Sequence, residues 1–169
     1  MTAEEGPELE FERILEQNER FVEAFDRSAL TAAPLTGLAI LTCMDARIDV
    51  EDALGLRVGD AHIIRNAGGL ASEDVIRSLV VSQQLLGTRE IIVIAHTRCG
   101  LHEADEDALR SRIEDSTGSA TEMAFGSFAD LDEMVREQVE ILRDEPVLLE
   151  TPVRGLVYEV ETGRLRAVA

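Results

Sequence analysis

The sequence contains no lysine and no tryptophan, and it has one tyrosine and two cysteines among its 169 residues. All 16 basic residues are therefore arginines, and 34 aspartates and glutamates bring the formal net charge to −18. Such an acidic chain lacks the basic surface that nucleic-acid phosphates require, so we expect no nucleic acid as a partner. The excess acid, the missing lysine and the 4% of aromatic residues are typical of a protein adapted to high salt, and we expect an acidic, halophilic protein.

Long hydrophobic runs are also missing from the sequence. No apolar stretch approaches the roughly 20 residues of a membrane-spanning helix, and the first residues, MTAEEGPELE, lack the basic and apolar regions of a signal peptide. We expect a cytoplasmic protein that does not bind membranes. In that compartment two cysteines do not form a disulfide framework, so they are either buried thiols or ligands.

The apolar residues that are present predict an α/β fold. Helical spacing over Glu8–Asp26 predicts a leading helix with one apolar stripe, which must pack on its own domain or on a partner subunit. The continuous apolar runs GLAILT, AHII and EIIVIA are typical of parallel strands that are covered on both faces, and VRGLVYEV is predicted to be a fourth strand. A final run, RLRAV, follows the turn ETG and is expected to return antiparallel.

Helices are predicted between these strands. Ser72 and Gly87 have the positions of a cap and a terminator around one helix, and Leu131–Arg143 forms another after a loop around residues 115–127. The alternation predicts a mainly parallel central sheet, about four parallel strands plus an antiparallel C-terminal strand, flanked by helices. The length of the chain, 169 residues, indicates a single domain.

Both cysteines follow predicted strands directly. Cys43 lies just past the first strand, in LTCMDARID, and His96 and Cys99 lie just past the third, in IAHTRCG. Ligand sites of parallel sheets lie beyond the carboxyl ends of the strands, so these two stretches are expected to meet. Two thiols and one imidazole suit zinc, and three protein ligands leave the open position of a catalytic site.

Asp45 and Arg47 accompany this ligand set at alternate positions of an extended segment, which places them on the side of Cys43. Asp45 is able to accept a hydrogen bond from a zinc-bound hydroxide, and Arg47 to pair with Asp45 and keep it ionised. The other possibility is that Asp45 swings in as the fourth zinc ligand and closes the site.

These motifs together resemble the beta-class carbonic anhydrases. CMDARID and HTRCG look like the C-x-D-x-R and H-x-x-C pair of that family. The likeness continues through RNAGGLASEDVIRSL and VRGLVYEVETGRLRAV and covers most of residues 36–169.

The resemblance implies a compact carbonic-anhydrase-like domain over residues 1–169, with an N-terminal helical arm at residues 1–33 that reaches onto a partner subunit. It implies that Cys43, His96 and Cys99 bind zinc and that Asp45 and Arg47 form a catalytic pair. The implied reaction is the reversible hydration of carbon dioxide to bicarbonate by a zinc-bound hydroxide. A homodimer or higher homo-oligomer is implied as well.

Other functions remain open on the same residues. Carbonyl sulfide or carbon disulfide hydrolysis would use the same zinc hydroxide, and a non-catalytic zinc protein would use the ligands alone. A cysteine nucleophile of the phosphatase type is disfavoured, because those loops place arginine six residues after cysteine and Arg47 follows Cys43 by four.

Four further residues have open roles. Gly68 and Gly69, in NAGG, belong either to a turn that requires positive φ or to the substrate pocket. Arg98 replaces the acidic residue that compact relatives often have, and its side chain is expected to point to solvent. His102 is close enough to the motif to be considered as a proton shuttle.

Overall fold

A computed structural model describes the backbone of the protein from Pro7 to Ala169 and the side chains from Glu10 onward. The helices are α1 (Pro7–Glu23), α2 (Val50–Leu54), α3 (Glu73–Leu86), α4 (Glu106–Thr117) and α5 (Leu131–Asp144). The strands are β1 (Leu38–Cys43), β2 (Ala61–Asn66), β3 (Glu90–His96), β4 (Val153–Glu159) and β5 (Arg164–Ala167). A 3-10 turn, Ala67–Gly69, follows β2.

The strands form one sheet in the order β2-β1-β3-β4-β5. The first four are parallel and β5 runs antiparallel to β4, which confirms the predicted fold class. The chain passes from β1 to β2 on one side and then crosses to β3 on the other side of β1, so the direction of the connections reverses between β1 and β3. This is the switch point at which parallel sheets open a crevice, and the site lies there.

Both faces of the sheet are covered, as the continuous apolar runs predict. Ala39 and Leu41 of β1 pack with α3 and α5 on one face, while Ile40 packs with Ile48 and Val50 on the other. Burial on both faces places β1 at the centre of the sheet's core.

Helix boundaries follow local capping chemistry. The Asp130 side chain accepts a hydrogen bond from the Glu133 N–H at the start of α5, and Gly87 ends α3 at φ +79°. Ser72 occupies the predicted cap position of α3, but its side chain makes no capping hydrogen bond. Helix α4 is missing from the sequence prediction, because it buries no residue fully and its apolar residues are too few to mark a clear stripe.

The chain divides into a first unit that ends at Thr31 and a second unit, Ala32–Ala169. The first contains α1, which ends three residues before the predicted Asp26. Apolar side chains of this unit are exposed, among them Phe11, Phe21 and Val22. A single domain with an arm over residues 1–33 stays a prediction. Among residues 7–169, none of the helices combines the length and hydrophobicity that a membrane crossing requires.

Candidate metal centre

Three potential ligands meet at the carboxyl ends of the central strands. Cys43 is the last residue of β1 and His96 the last of β3, and Cys99 follows in the turn after β3. Their sulfur and imidazole nitrogen atoms all lie within 4.8 Å of one another, and all three residues are buried. The structure thus brings together two stretches that are separated by 53 positions in the sequence.

The His96 imidazole is prepared to donate a lone pair. Its Nδ1 lies 2.9 Å from the Thr97 carbonyl oxygen, which only accepts, so Nδ1 carries the proton and donates. Nε2 is buried and has no hydrogen-bond partner within the described residues. A buried polar atom without a partner is costly, and a metal ion at this position would satisfy it.

The two buried thiols differ in acidity, because their mutual hydrogen bond lowers the pKa of Cys43 and raises the pKa of Cys99. The hydrogen bond with Cys99 is the largest influence on Cys43 and lowers the pKa of its thiol, while burial opposes the shift. His96 and the backbone N–H groups of Asp45 and Gly68 lower this pKa further. A thiolate is the form of cysteine that binds metal, so Cys43, Cys99 after loss of its proton, and the free imidazole nitrogen of His96 make a donor set that fits zinc.

Asp45 and Arg47 form a bidentate ion pair beside the ligands. Arg47 Nε donates to Asp45 Oδ1 at 2.9 Å, and Arg47 Nη2 donates to Oδ2 at 2.7 Å. The backbone N–H of Arg47 also donates to Oδ1, at 3.0 Å. These bonds hold the pKa of the Asp45 carboxyl well below its usual range, the side-chain bond from Arg47 being the largest cause.

The Asp45 carboxylate faces the ligands without belonging to their cluster. Its Oδ2 lies 3.8 Å from His96 Nε2, and both of its oxygens are engaged by Arg47. In this structure Asp45 is therefore paired with Arg47 and is not part of the potential ligand group. Recruitment of Asp45 as a fourth zinc ligand stays a prediction.

The NAGG segment runs directly behind Cys43. Gly68 and Gly69 have φ +81° and +69°, as the turn interpretation predicts. A Cβ on Gly69 would lie 3.1 Å from the Cys43 nitrogen and from the Thr42 carbonyl carbon, so this position leaves no room for a side chain. A direct role of Gly68 and Gly69 in the substrate pocket stays a prediction.

The remaining histidines lie outside the cluster. His102 Nε2 lies 3.1 Å from the Ala129 carbonyl oxygen, and His62 Nδ1 lies 2.6 Å from Ser82 Oγ. His62 is at the amino end of β2, the wrong end for the site. The backbone N–H of His102 donates to the carbonyl oxygen of Cys99 at 3.1 Å, but neither imidazole belongs to the ligand group.

Arg98 contributes to the site through its backbone and not through its side chain. Its guanidinium is largely exposed, as expected, and pairs with Glu161. Its backbone has φ +54°, and its carbonyl accepts a hydrogen bond from Arg47 Nη2 at 3.0 Å. The backbone of the turn between His96 and Cys99 is thereby tied to the Asp45–Arg47 pair.

Sequence reasoning missed the residues that support these loops. Arg65 donates hydrogen bonds to backbone carbonyls of the segment that carries Cys43 and Asp45. Glu161 accepts a hydrogen bond from the Thr97 hydroxyl at 2.9 Å. No local pattern marks either residue, although the register places Arg65 opposite Thr42, next to Cys43.

Comparison with known proteins agrees with this geometry. The profile of the family described as carbonic anhydrase matches residues 38–165. Beta-carbonic anhydrase 1 of Mycobacterium tuberculosis is 43% identical over 143 residues, which cover 84% of this chain and 88% of that protein. The chain belongs to the beta-carbonic anhydrase family.

Relatives within this family differ in their named substrates. The crystal structure of carbonic anhydrase from Streptococcus mutans matches with a TM-score of 0.89 at 40% identity, covering 94% of this chain and 97% of that one. Carbon disulfide hydrolase from an Acidianus strain is 38% identical over 154 residues, which cover 76% of each protein. Family membership confirms the resemblance, and the choice of substrate has to be argued from the site.

Proposed function

We propose that this protein catalyses the zinc-dependent, reversible hydration of carbon dioxide to bicarbonate. The observation that carries the proposal is the buried cluster of Cys43, His96 and Cys99, with the unpartnered His96 Nε2 and an ionised carboxylate beside it. A purely structural zinc site has no need of the bidentate Asp45–Arg47 pair.

The chain's own residues have separable tasks in this reaction. Cys43, His96 and Cys99 hold zinc, which when bound acts as a Lewis acid toward a water molecule. Asp45 is ionised and only accepts hydrogen bonds, so it orients the O–H of the reacting water. Arg47 keeps the Asp45 carboxylate ionised and in place through two parallel hydrogen bonds. A variant that lacks Asp45 or Arg47 would keep all three zinc ligands but would no longer orient the reacting water.

The first test combines stopped-flow carbon dioxide hydration with the metal content of the same sample. We expect activity that scales with one zinc per chain. Cys43→Ser should lose both zinc and activity, because a hydroxyl is a poor substitute for a thiolate ligand. Asp45→Asn should retain zinc but lose about 100-fold or more in kcat, since a positioned proton-handling group contributes about that much.

Two outcomes would reject the proposal. One is full zinc occupancy without hydration at any pH, which favours a non-catalytic zinc protein. The other is hydration that persists undiminished after zinc is removed.

Carbon disulfide hydrolysis is the second candidate, favoured by the relatives that are named for it. The match to the crystal structure of a carbon disulfide hydrolase has a TM-score of 0.72 at 32% identity, below the 0.89 of the Streptococcus mutans enzyme, so we rank it second. Sulfide release from carbon disulfide, measured beside carbon dioxide hydration on one preparation, separates the two substrates.

The proposal includes a homo-oligomer in the cytoplasm. The first unit exposes several large apolar side chains of one helix, among them Phe11, Phe21 and Val22. They support a homo-oligomer, because a second chain would remove this apolar surface from water. Sedimentation analysis should give a mass of at least two chains, and Phe21→Glu should lower that mass. Cell fractionation tests the location.

A further inference from the structure

The Arg65 side chain reaches three backbone carbonyl groups of one loop. Arg65 is the next-to-last residue of β2 and lies opposite Thr42 in the register with β1. Cys43 follows Thr42 as the last residue of β1, and the chain leaves the sheet after it. The Arg65 side chain therefore starts beside the segment from Cys43 to Ile48, which connects β1 to α2.

All three guanidinium nitrogens of Arg65 donate to carbonyl oxygens of that segment. Nε donates to Cys43 at 2.9 Å, Nη2 to Asp45 at 2.7 Å and Nη1 to Ile48 at 3.2 Å. One rigid, planar cation thus fixes the first, third and last residues of a six-residue segment.

The clamped segment is the one that carries the chemistry. It contains the ligand Cys43 and both members of the Asp45–Arg47 pair. Two backbone N–H groups of this segment also point at its functional side chains, since that of Asp45 faces the Cys43 sulfur and that of Arg47 donates to Asp45 Oδ1 at 3.0 Å. The directions of both N–H groups depend on the backbone conformation of the Cys43–Ile48 segment.

We propose that Arg65 is a positioning residue, which holds the Cys43–Ile48 segment so that the Asp45 carboxylate stays on Arg47 and the Cys43 sulfur stays aimed at the metal. This inference rests on the proposed function for its kinetic consequence, but its effect on metal geometry is separate. Lysine does not replace Arg65, because one ammonium cannot present three donors in a fixed plane.

The test compares Arg65→Lys and Arg65→Gln with Arg143→Lys. Arg143 is the matched control, since its Nη2 also donates to a backbone carbonyl, that of Val153, at 2.6 Å. Val153 is the first residue of β4 and so lies at the amino ends of the parallel strands, away from the site. Each variant is loaded with zinc or with cobalt(II) and is studied below its unfolding temperature. The measurements are the visible spectrum of the cobalt form, the rate of zinc loss to a chelator, kcat and KM.

We expect both Arg65 variants to change the cobalt spectrum and to lose zinc faster than the wild type, by about 10- to 100-fold, the usual effect of a residue that supports metal ligands. With carbon dioxide as substrate, kcat should fall by a similar factor while KM changes less, because the orientation of water is affected and not substrate entry. Arg143→Lys should keep the wild-type spectrum and kinetics.

Wild-type values of the spectrum, zinc loss and kcat in both Arg65 variants would overturn the inference, even if their unfolding temperatures fell, because Arg65 would then serve stability alone. If the wild type itself fails to hydrate carbon dioxide, the proposed function fails, while the cobalt spectrum and the chelator rates still decide the role of Arg65.

Discussion

At the scale of single residues, two glycines with nearly the same positive φ face different surroundings. Gly69 has φ +69° and Gly55 has φ +66°, so a side chain is strained at both. A Cβ on Gly55 would meet nothing within 4 Å, whereas a Cβ on Gly69 would press on the backbone of Thr42 and Cys43 at 3.1 Å. Substitution of Gly55 therefore measures backbone strain alone, whereas substitution of Gly69 measures strain together with steric overlap.

Gly69→Ala should therefore destabilise the protein more than Gly55→Ala. Positive φ alone costs about 1–2 kcal/mol, and overpacking adds about 1–3 kcal/mol more at Gly69. Urea unfolding of both variants measures the difference. Gly69→Ala should also lower zinc retention, because the new methyl group would push on the backbone of Cys43, one of the proposed zinc ligands. Equal loss of stability in the two variants would contradict the steric argument.

At the scale of elements, α4 shows how a helix without a buried face is held. Asp105 caps its start by accepting from the Ala108 N–H at 2.9 Å. The Glu106 carboxylate accepts from the Ser127 N–H at 2.9 Å and from Arg110 Nη2 at 2.8 Å. This carboxylate thus fastens the long connection before α5 to the first turn of α4.

These bonds make the attachment depend on pH. The backbone N–H groups of Ser127 and then Phe125 lower the pKa of Glu106 from 4.5 to about 2. A carboxyl group with a lowered folded-state pKa stabilises the protein above its unfolded pKa, and this contribution is lost as pH falls toward the folded value. The relevant window is therefore from 4.5 down to about 2.

Glu106→Gln should be less stable than the wild type at neutral pH, and the gap should narrow as pH falls through that window. Urea unfolding of both proteins from about pH 7 to about pH 3 measures the gap. A gap that stays constant with pH would show that the Glu106 charge does not hold the connection.

At the scale of the whole molecule, charge is the dominant property. A net charge of −18 makes the folded chain repel itself, and dissolved salt screens that repulsion. We expect the unfolding temperature to rise between about 0.1 M and about 2 M potassium chloride. An uncharged osmolyte at equal osmolality is the control, since it cannot screen charge. The halophilic interpretation loses its basis if salt and osmolyte act alike or if neither raises the unfolding temperature.

Several features follow from the sequence alone because their causes are local. Continuous apolar runs mark the parallel strands, and the position of Cys43 and His96 directly after such runs places both at the carboxyl edge of the sheet. The positive φ of Gly68 and Gly69 was likewise predictable, since glycine accepts it at no steric cost. These rules operate within a few residues or follow from strand direction.

Only the tertiary structure decided how the site is supported. Arg65 binds three carbonyls because β2 lies next to β1 in a particular register, and Glu161 reaches Thr97 because the turn after β4 returns beside the end of β3. Helix α4 escaped prediction because its stability comes from capping and from Glu106, not from an apolar face. Contacts of this kind join residues that are distant in sequence, so no local periodicity records them.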